Sequence, residues 1–294
     1  MSLIDQVLAS PAFERTRDFW RRYKVNRIGV VGLILLVFFV GIAFSAPYIA
    51  PHDPWKMSNN IFLPPLKEGN WILGTDDLGR DILSGIVHGI RTSLFVGASA
   101  VACSAVIGIL VGSIAGYFGG KVDDLFMRVT EFFQVIPRFF LAIVLVAFLG
   151  PSIWNLVTVI AVVTWPVTAR LTRAEFLTLK ERDFVMAARA LGDYERTIIF
   201  REILPNGISP VIVNSSLEVA TVILLEAALS FLGFGDPTMM SLGYMIYNSQ
   251  RFLRLAWWMA FFPGLVMSLV ILSTNMVGDA LNEAMNPRLR ERSI

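Results

Sequence analysis

Residues Asp183–Asn206 read DFVMAARALGDYERTIIFREILPN and form a charged segment inside a chain that is otherwise strongly apolar. Four of its residues recur at helical spacing, which predicts a short helix with one common face. They are Phe184, Ala187, Ala188 and Leu191. Asp183 is placed to cap the start of this helix, and Gly192 to end it in the left-handed conformation. Taken alone, the segment is equally consistent with a plain loop helix between two membrane spans.

A second short amphipathic pattern follows directly from Tyr194. Its apolar positions are Ile198, Ile199 and Ile203, and Pro205 is expected to stop it because proline lacks the amide hydrogen that a helix interior needs. The two patterns together predict a pair of short helices in one polar stretch.

Composition places the rest of the chain in a membrane. The 294 residues are 55% hydrophobic and only 16% charged, whereas soluble domains carry about 25% charged residues. The net charge of +2 gives no reason to expect nucleic acid, and one cysteine with two histidines gives no metal site. The stretch AGYFGGKV at 115–122 has Ala115 and Val122 where a P-loop needs glycine and Ser or Thr, so we expect no nucleotide cofactor bound by this chain.

Apolar runs predict an all-α polytopic protein with six transmembrane helices. Arginines cluster before the first span, in the central polar stretch and at the carboxyl end, so the positive-inside rule places both termini in the cytoplasm. The predicted divisions are a leader 1–27, a first span 28–50, a periplasmic segment 51–91, a five-helix core 92–280 with a cytoplasmic loop 171–206, and a tail 281–294. Within the core, the second span is expected at 93–115, the third at 126–149 and the fourth at 153–167.

Two further regions attract attention on chemical grounds. The periplasmic segment contains LGTDDLGRDILS from Leu73, which is rich in turn formers, but its acids lack the alternating spacing of a calcium loop. The fifth span carries Asn214, Glu218 and Glu226. Ionisable groups at membrane depth are costly unless partnered, so each is a candidate for the translocation path. Hydrogen bonding between packed helices explains them equally well.

Five stretches together resemble the permeases of ATP-binding-cassette importers. The opening segment resembles their cytoplasmic signature, which reads Glu-Ala-Ala, three residues, Gly, then Ile-x-Leu-Pro. Matching residues are Ala187, Ala188, Gly192, Leu204 and Pro205. The other four stretches are LGTDDLGRDILS from Leu73, AGYFGGKVDD from Ala115, EAALSFLGFG from Glu226 and GDALNEAMNPRLR from Gly278. The chain looks like the second, C-type permease of the dipeptide, oligopeptide and nickel family, with a type I importer fold in a bacterial inner membrane.

The resemblance implies a set of partners and sites. It implies a heterodimer with a sister permease, two cytoplasmic ATPase subunits that hold ATP and Mg, an external binding protein, and surrounding membrane lipid. The implied ATPase-coupling residues are Phe184, Met186, Ala187, Ala188, Leu191, Gly192, Leu204 and Pro205. The implied contacts to the binding protein or sister subunit are Gly74, Thr75, Asp76, Asp77, Gly79, Arg80 and Asp81.

One departure from the signature concerns Met186, which stands where the family has an acid. With Asp183 as N-cap, residue 186 is the third helical position, where a Glu would complete a capping box. Its loss is expected to cost the helix up to about 1 kcal/mol.

The alternative function is a self-sufficient proton-coupled transporter using Glu218 or Glu226, although no inverted repeat is visible. The sequence leaves the substrate open among dipeptides, oligopeptides, nickel chelates and other small solutes.

Overall fold

The computed structural model describes residues 11–67 and 71–285, and these residues form helices and loops without a β-strand. The first ten residues of the predicted leader and the predicted tail beyond residue 285 lie outside the described residues. The helices are α1 Pro11–Val25, α2 Arg27–Ile49, α3 Ile82–Phe118, α4 Gly120–Val135, α5 Arg138–Leu149, α6 Ile153–Leu179, α7 Asp183–Ala190, α9 Ser209–Phe231, α10 Leu242–Ser249 and α11 Trp258–Met285. Between α7 and α9, α8 consists of three consecutive helical pieces, Glu195–Thr197, Ile198–Ile203 and Leu204–Gly207.

Among the described residues, five helices are long and apolar enough to cross a membrane, namely α2, α3, α6, α9 and α11. A sixth crossing arises if α4 and α5, which meet at an angle of 89°, count as one broken span. The first crossing, α2, agrees with the predicted span 28–50 to within a residue. The six-span prediction therefore corresponds to five continuous helices and one bent pair.

The helix that contains the predicted second span, 93–115, begins well before residue 93. Helix α3 begins at Ile82, because the side chain of Asp81 caps it and accepts a hydrogen bond from the backbone N–H of Ser84 at 2.9 Å. It then continues for 37 residues to Phe118, a length of about 55 Å at 1.5 Å per residue. The helix therefore extends beyond the hydrocarbon core of a bilayer, and the boundary predicted between residues 91 and 92 falls inside it.

The predicted third span, 126–149, is not one continuous helix. Helix α4 ends at Val135 and α5 begins at Arg138, with extended backbone at Ile136 and Pro137 between them. A proline disfavours helical conformation in the residue before it, which accounts for a break at Ile136. The helix that contains the predicted fourth span, 153–167, is longer than that span, since α6 continues from Ile153 to Leu179 with Pro166 inside it.

Helices α3 and α6 make the most extensive contact in the bundle. Glycines at four-residue spacing on α3 face α6, namely Gly108, Gly112 and Gly116. A Cβ atom added at Gly112 would lie 2.6 Å from the Cβ of Thr172, and one at Gly116 equally close to the Cβ of Phe176. Small residues of this kind let two helix backbones approach closely inside a membrane. We call this contact the glycine seam.

The bundle has two ends. At one, which we call the α7 end, Tyr117 near the end of α3 packs in the same apolar cluster as Val185 of α7. At the other, the loop end, the residues before α3 pack against the start of α11, where the indole N–H of Trp258 donates to the carbonyl of Thr75 at 3.2 Å. Because α3 runs from the loop end to the α7 end, the two lie on opposite sides of the membrane.

The glycine seam yields a direct test. The substitution Gly112→Leu should force α3 and α6 apart, because its side chain meets Thr172 at less than van der Waals distance. Overpacking of this kind costs about 1–3 kcal/mol, so the melting temperature of the purified protein should fall. Gly41→Leu on α2 is the matched control, since nothing lies within 4 Å of a Cβ at Gly41. Equal melting temperatures for the two variants would contradict the seam.

Candidate functional site

The short helix α7 stands on an apolar base at the α7 end. Its buried residues are Val185 and Ala188, with 0% and 7% of their surface exposed. They pack against side chains from α3, α6 and α8, which are Tyr117, Phe176, Ile198, Ile199 and Ile203. The buried positions predicted in the second amphipathic segment are therefore confirmed. In α7 the prediction was wrong in part, because of the four residues assigned to one face only Ala188 points inward.

The sequence predicts the end of α7 correctly but not its start. Asp183 is not the N-cap, since the helix begins at Asp183 itself and Arg182 precedes it without a side-chain cap. Met186 is therefore the fourth helical position, and the capping-box explanation of its effect does not hold. At the other end, Gly192 has φ of +83°, and the amide of Asp193 donates to the carbonyl of Ala188 at 3.2 Å. Left-handed glycine at this place closes the helix, as predicted.

The helix α7 and the turn after it expose several apolar side chains beside their charged ones. Met186 is 50% exposed, Leu191 84% and Tyr194 75%, while Phe184 is 37% exposed. Ala187 is exposed between them. These five residues form what we call the α7 patch. A rigid helix with an apolar outer face and a buried inner face has the form of a docking surface for another protein.

Helix α8 does not stop at Pro205, contrary to the prediction. The piece Ile198–Ile203 is a π-helix, in which the amide of Leu204 donates to the carbonyl of Ile199 five residues earlier. A proline ring clashes with the carbonyl four residues before it in an α-helix, and the wider π turn lies directly before Pro205. The chain thus passes through Leu204 and the exposed Pro205 into α9 with only Ile208 between the helices.

At the loop end, the stretch 74–81 is folded onto its own chain. Thr75, Arg80 and Asp81 are at most 4% exposed, and Asp76 organises the turn by accepting the Arg80 guanidinium N–H at 2.6 Å. Gly74 and Gly79 both have positive φ, at 82° and 71°. The surface that this stretch presents consists of Leu78, which is exposed, with Asp76 and Asp77, which are partly exposed. Burial and the neighbouring carboxylate of Asp76 raise the pKa of Asp77.

The three polar residues of the fifth span occupy different surroundings. Glu226 is 1% exposed and accepts hydrogen bonds from three serine hydroxyls. The donors are Ser93 on α3 at 3.2 Å, Ser230 on α9 at 2.8 Å and Ser241 before α10 at 3.0 Å. Glu226 is thus a hydrogen-bonded junction of three elements. Glu218 lies 3.5 Å from Arg138 of α5, and Asn214, one turn earlier, has a buried Nδ2 without a hydrogen-bond partner among the described residues.

A cavity of about 1120 Å³ opens between α2, α3, α6, α9 and α11 toward the loop end. Its wall is largely apolar but includes a group of polar side chains, which are His88, Arg91, Thr92, Ser216, Asp236, Thr238 and Thr274. None of Asn214, Glu218 and Glu226 lines it. Sequence reasoning missed these residues. The available signal was the spacing of His88 and Arg91, which places both on one face of α3.

Comparison with known proteins shows which family shares this architecture. Residues 108–291 match the family described as binding-protein-dependent transport system inner membrane component, and residues 15–65 match the N-terminal TM domain of oligopeptide transport permease C. The first match covers more than half of the chain. The chain belongs to the binding-protein-dependent transport permeases. It is a multi-pass membrane subunit of an ATP-binding-cassette importer, as the resemblance implied.

Curated relatives resemble the permease over almost its whole length. The dipeptide transport system permease protein DppC of Escherichia coli K12 is 40% identical, covering 98% of both chains. The di/tripeptide transport system permease protein DppC of Pseudomonas aeruginosa is 37% identical over 93% of this chain and 92% of its own. The glutathione transport system permease protein GsiD of Pectobacterium atrosepticum is 36% identical over 93% and 91%.

Solved structures share the fold at much lower sequence identity. The inward-facing methionine transporter MetNI matches with a TM-score of 0.58 at 17% identity, covering 70% of the permease and 98% of that chain. An amino acid transporter solved with histidines matches with a TM-score of 0.51 at 15% identity, over 72% and 95%. The predicted importer-permease fold is confirmed.

Asp236 ties the loop before α10 to the start of α6. Its carboxylate accepts the backbone N–H of Ile153 at 2.9 Å and the hydroxyl and backbone N–H of Thr238 at 2.6 and 2.8 Å. Burial alone would raise the pKa of Asp236, but these hydrogen bonds to the charged form outweigh burial and lower it below its ordinary value of 3.8. The permease thus uses a charged side chain of the cavity wall as a structural tie.

This tie predicts a pH dependence of stability. Because the folded-state pKa of Asp236 is depressed, its contribution is present above the ordinary value of 3.8 and is lost as pH falls through the folded value. The melting temperature of the wild type should therefore drop below about pH 4. Asp236→Asn should melt lower at pH 7 and show a shallower acid drop, whereas Asp193→Asn, at an exposed carboxylate, should follow the wild type. A parallel acid drop in all three proteins would contradict the tie.

Proposed function

We propose that this permease is one of two membrane subunits of an ATP-driven importer of peptides, and that the α7 patch is where an ATPase subunit docks. The observation that carries the proposal is the construction of α7. Its inner face is fixed by Val185 and Ala188, while Leu191 and Met186 on its outer face are exposed. A partner that pushes on this helix moves the apolar base beneath it, and with it the ends of α3 and α6.

Several features support a separate source of energy. The stretch 115–122 lacks the residues of a P-loop, so ATP and Mg belong on two partner ATPase subunits. Exposed arginines surround the α7 patch, namely Arg182, Arg189, Arg196 and Arg201. By the positive-inside rule the α7 end then faces the cytoplasm, where those ATPases work, and both termini lie on the same side.

The loop end in this proposal faces the outside and receives substrate from an external binding protein. The residues available for that contact are Asp76, Asp77 and Leu78, because Thr75, Arg80 and Asp81 are buried within the chain. The large cavity opens toward the same end, with its open side left for a sister permease to cover. A path shared between two subunits would be closed only in the heterodimer.

Peptides are the substrate class that the relatives favour. Two of the relatives described above are named for dipeptides or di/tripeptides, and one for glutathione, itself a small peptide. The cavity wall offers the cationic Arg91 and the anionic Asp236 together with hydroxyl groups, a combination that suits a polar solute carrying both charges. Family membership disfavours the alternative of a self-sufficient proton-coupled transporter.

Reconstitution tests the proposal as a whole. The permease is assembled in vesicles with the sister permease, the ATPases and the binding protein encoded beside it. These vesicles should take up a labelled dipeptide only when ATP is present on the side of the membrane where the ATPases are bound. Purified alone, it should bind no ATP. Uptake that persists without ATP and follows a proton gradient would establish the secondary-transporter alternative instead.

The docking assignment predicts the effect of Leu191→Asp. This side chain is 84% exposed, so the substitution should leave the melting temperature unchanged. Placing a carboxylate in an apolar interface costs several kcal/mol, so ATPase co-purification and ATP-driven uptake should both be lost. Leu66→Asp is the control, because Leu66 is 83% exposed at the loop end and should keep its ATPases. Full co-purification with Leu191→Asp would remove the α7 patch from the ATPase interface.

A further inference from the structure

Two ion pairs join α4 and α5 to neighbouring helices, one on each side of the bend between them. Before the bend, Asp123 of α4 accepts two hydrogen bonds from Arg173 of α6, each at 2.5 Å. After the bend, Arg138 of α5 faces Glu218 of α9. The bend therefore separates an ion pair made to α6 from an ion pair made to α9.

These two ion pairs differ in strength. The pair of Arg173 with Asp123 is bidentate and uses both carboxylate oxygens, which is the strongest arrangement available to these side chains. A second contact, from Arg170 to Gln134 at 2.7 Å, holds the other end of α4 to α6. We call these contacts the strap.

The pair of Arg138 with Glu218 is much looser. A single nitrogen–oxygen approach of 3.5 Å joins them, longer than a hydrogen bond. Within the part of the chain that the structure describes, the second oxygen of Glu218 is buried without a hydrogen-bond partner, and so is the Nδ2 of Asn214 one turn away. Glu218 is only 7% exposed, whereas the Arg138 side chain is 40% exposed. Only one of the two carboxylate oxygens of Glu218 thus faces a charged partner. Keeping a carboxylate buried with so little compensation costs free energy.

The position of Glu218 connects this loose pair to the α7 end. Helix α9 follows α8 with only Ile208 between them, and α8 shares its apolar base with α7. Helix α5 packs mainly on α6 and touches α9 much less. The pair is therefore the polar link between two helices whose other shared contacts are apolar, among them Val146 of α5 and Val222 of α9 in one buried cluster.

We propose that Arg138 and Glu218 form a latch between α5 and α9 that opens and closes in the transport cycle, while the strap stays closed. The inference rests on the importer function proposed above. When a docked ATPase shifts α7 and α8, α9 carries Glu218 away from Arg138, and the bend at Ile136 and Pro137 changes its angle. The unpaired Glu218 oxygen and Asn214 amide then gain access to water or to a passing solute.

Substitutions distinguish a latch from a strap. In the assembled importer, Glu218→Gln and Arg138→Gln should raise ATP hydrolysis without substrate and lower the transport per ATP by about fivefold or more, a typical coupling effect. The charge exchange Arg138→Glu with Glu218→Arg should recover part of that loss. Arg173→Gln in the strap should instead lower the melting temperature, with the transport per ATP of the surviving protein unchanged. A charge exchange no better than the single variants, or variants that only melt lower, would overturn the latch.

A distance measurement tests the latch with both of its residues intact. Spin labels at Phe140→Cys on α5 and Ile212→Cys on α9, both exposed positions, are placed in a Cys103→Ser background. Their distance distribution should differ between the nucleotide-free complex and the complex trapped with ATP, and identical distributions would overturn the latch. A complex whose distance responds to ATP but which takes up no peptide supports the latch and contradicts the peptide assignment. Uptake of peptide without a change in distance overturns the latch alone.

Discussion

Close approach of α3 and α6 along the glycine seam is the constraint on which the rest of the permease depends. Because three glycines on α3 leave no side chain between the backbones, Tyr117 and Phe176 meet at the α7 end. Their rings form the floor on which α7 and α8 rest. A wider separation would leave Val185 and Ala188 without partners, and α7 is too short to remain folded without tertiary contacts. The position of the α7 patch, where an ATPase subunit is proposed to dock, thus depends on helix packing inside the membrane.

Polar groups determine the opposite end of the molecule. Glu226 gathers hydroxyls from α3, α9 and the start of α10, and Asp236 joins the loop before α10 to α6. Each carboxylate fixes connections that apolar contacts alone would leave free to slide, because a hydrogen bond has a defined direction. The looser pair of Arg138 with Glu218 lies between the two rigid ends. Each end of the bundle is held by firm contacts, and a weak contact lies between the ends. This arrangement is expected where one packed unit must shift relative to another.

Sequence patterns predicted those features that depend on local chemistry. Span number followed from the thickness of the bilayer, and Gly192 was predicted as the terminus of α7 because few other residues adopt its conformation. The start of α3 was missed because the capping role of Asp81 is visible only once the helix is known to extend to residue 82. Partners remote in sequence were also missed. Nothing local indicates that Ser93 meets Glu226, or that Arg138 meets Glu218, since both pairings arise only from the packing of separate spans.

The π turn of α8 has a geometrical consequence for α9. A π turn holds one more residue than an α turn, so its conversion to regular α-helix would rotate the following helix by about 100° relative to α7. Pro205 opposes that conversion, because its ring clashes with the carbonyl four residues earlier in an α-helix. The number of residues in one turn of α8 therefore fixes the azimuth at which α9 enters the membrane, and with it the direction in which both of its glutamates face.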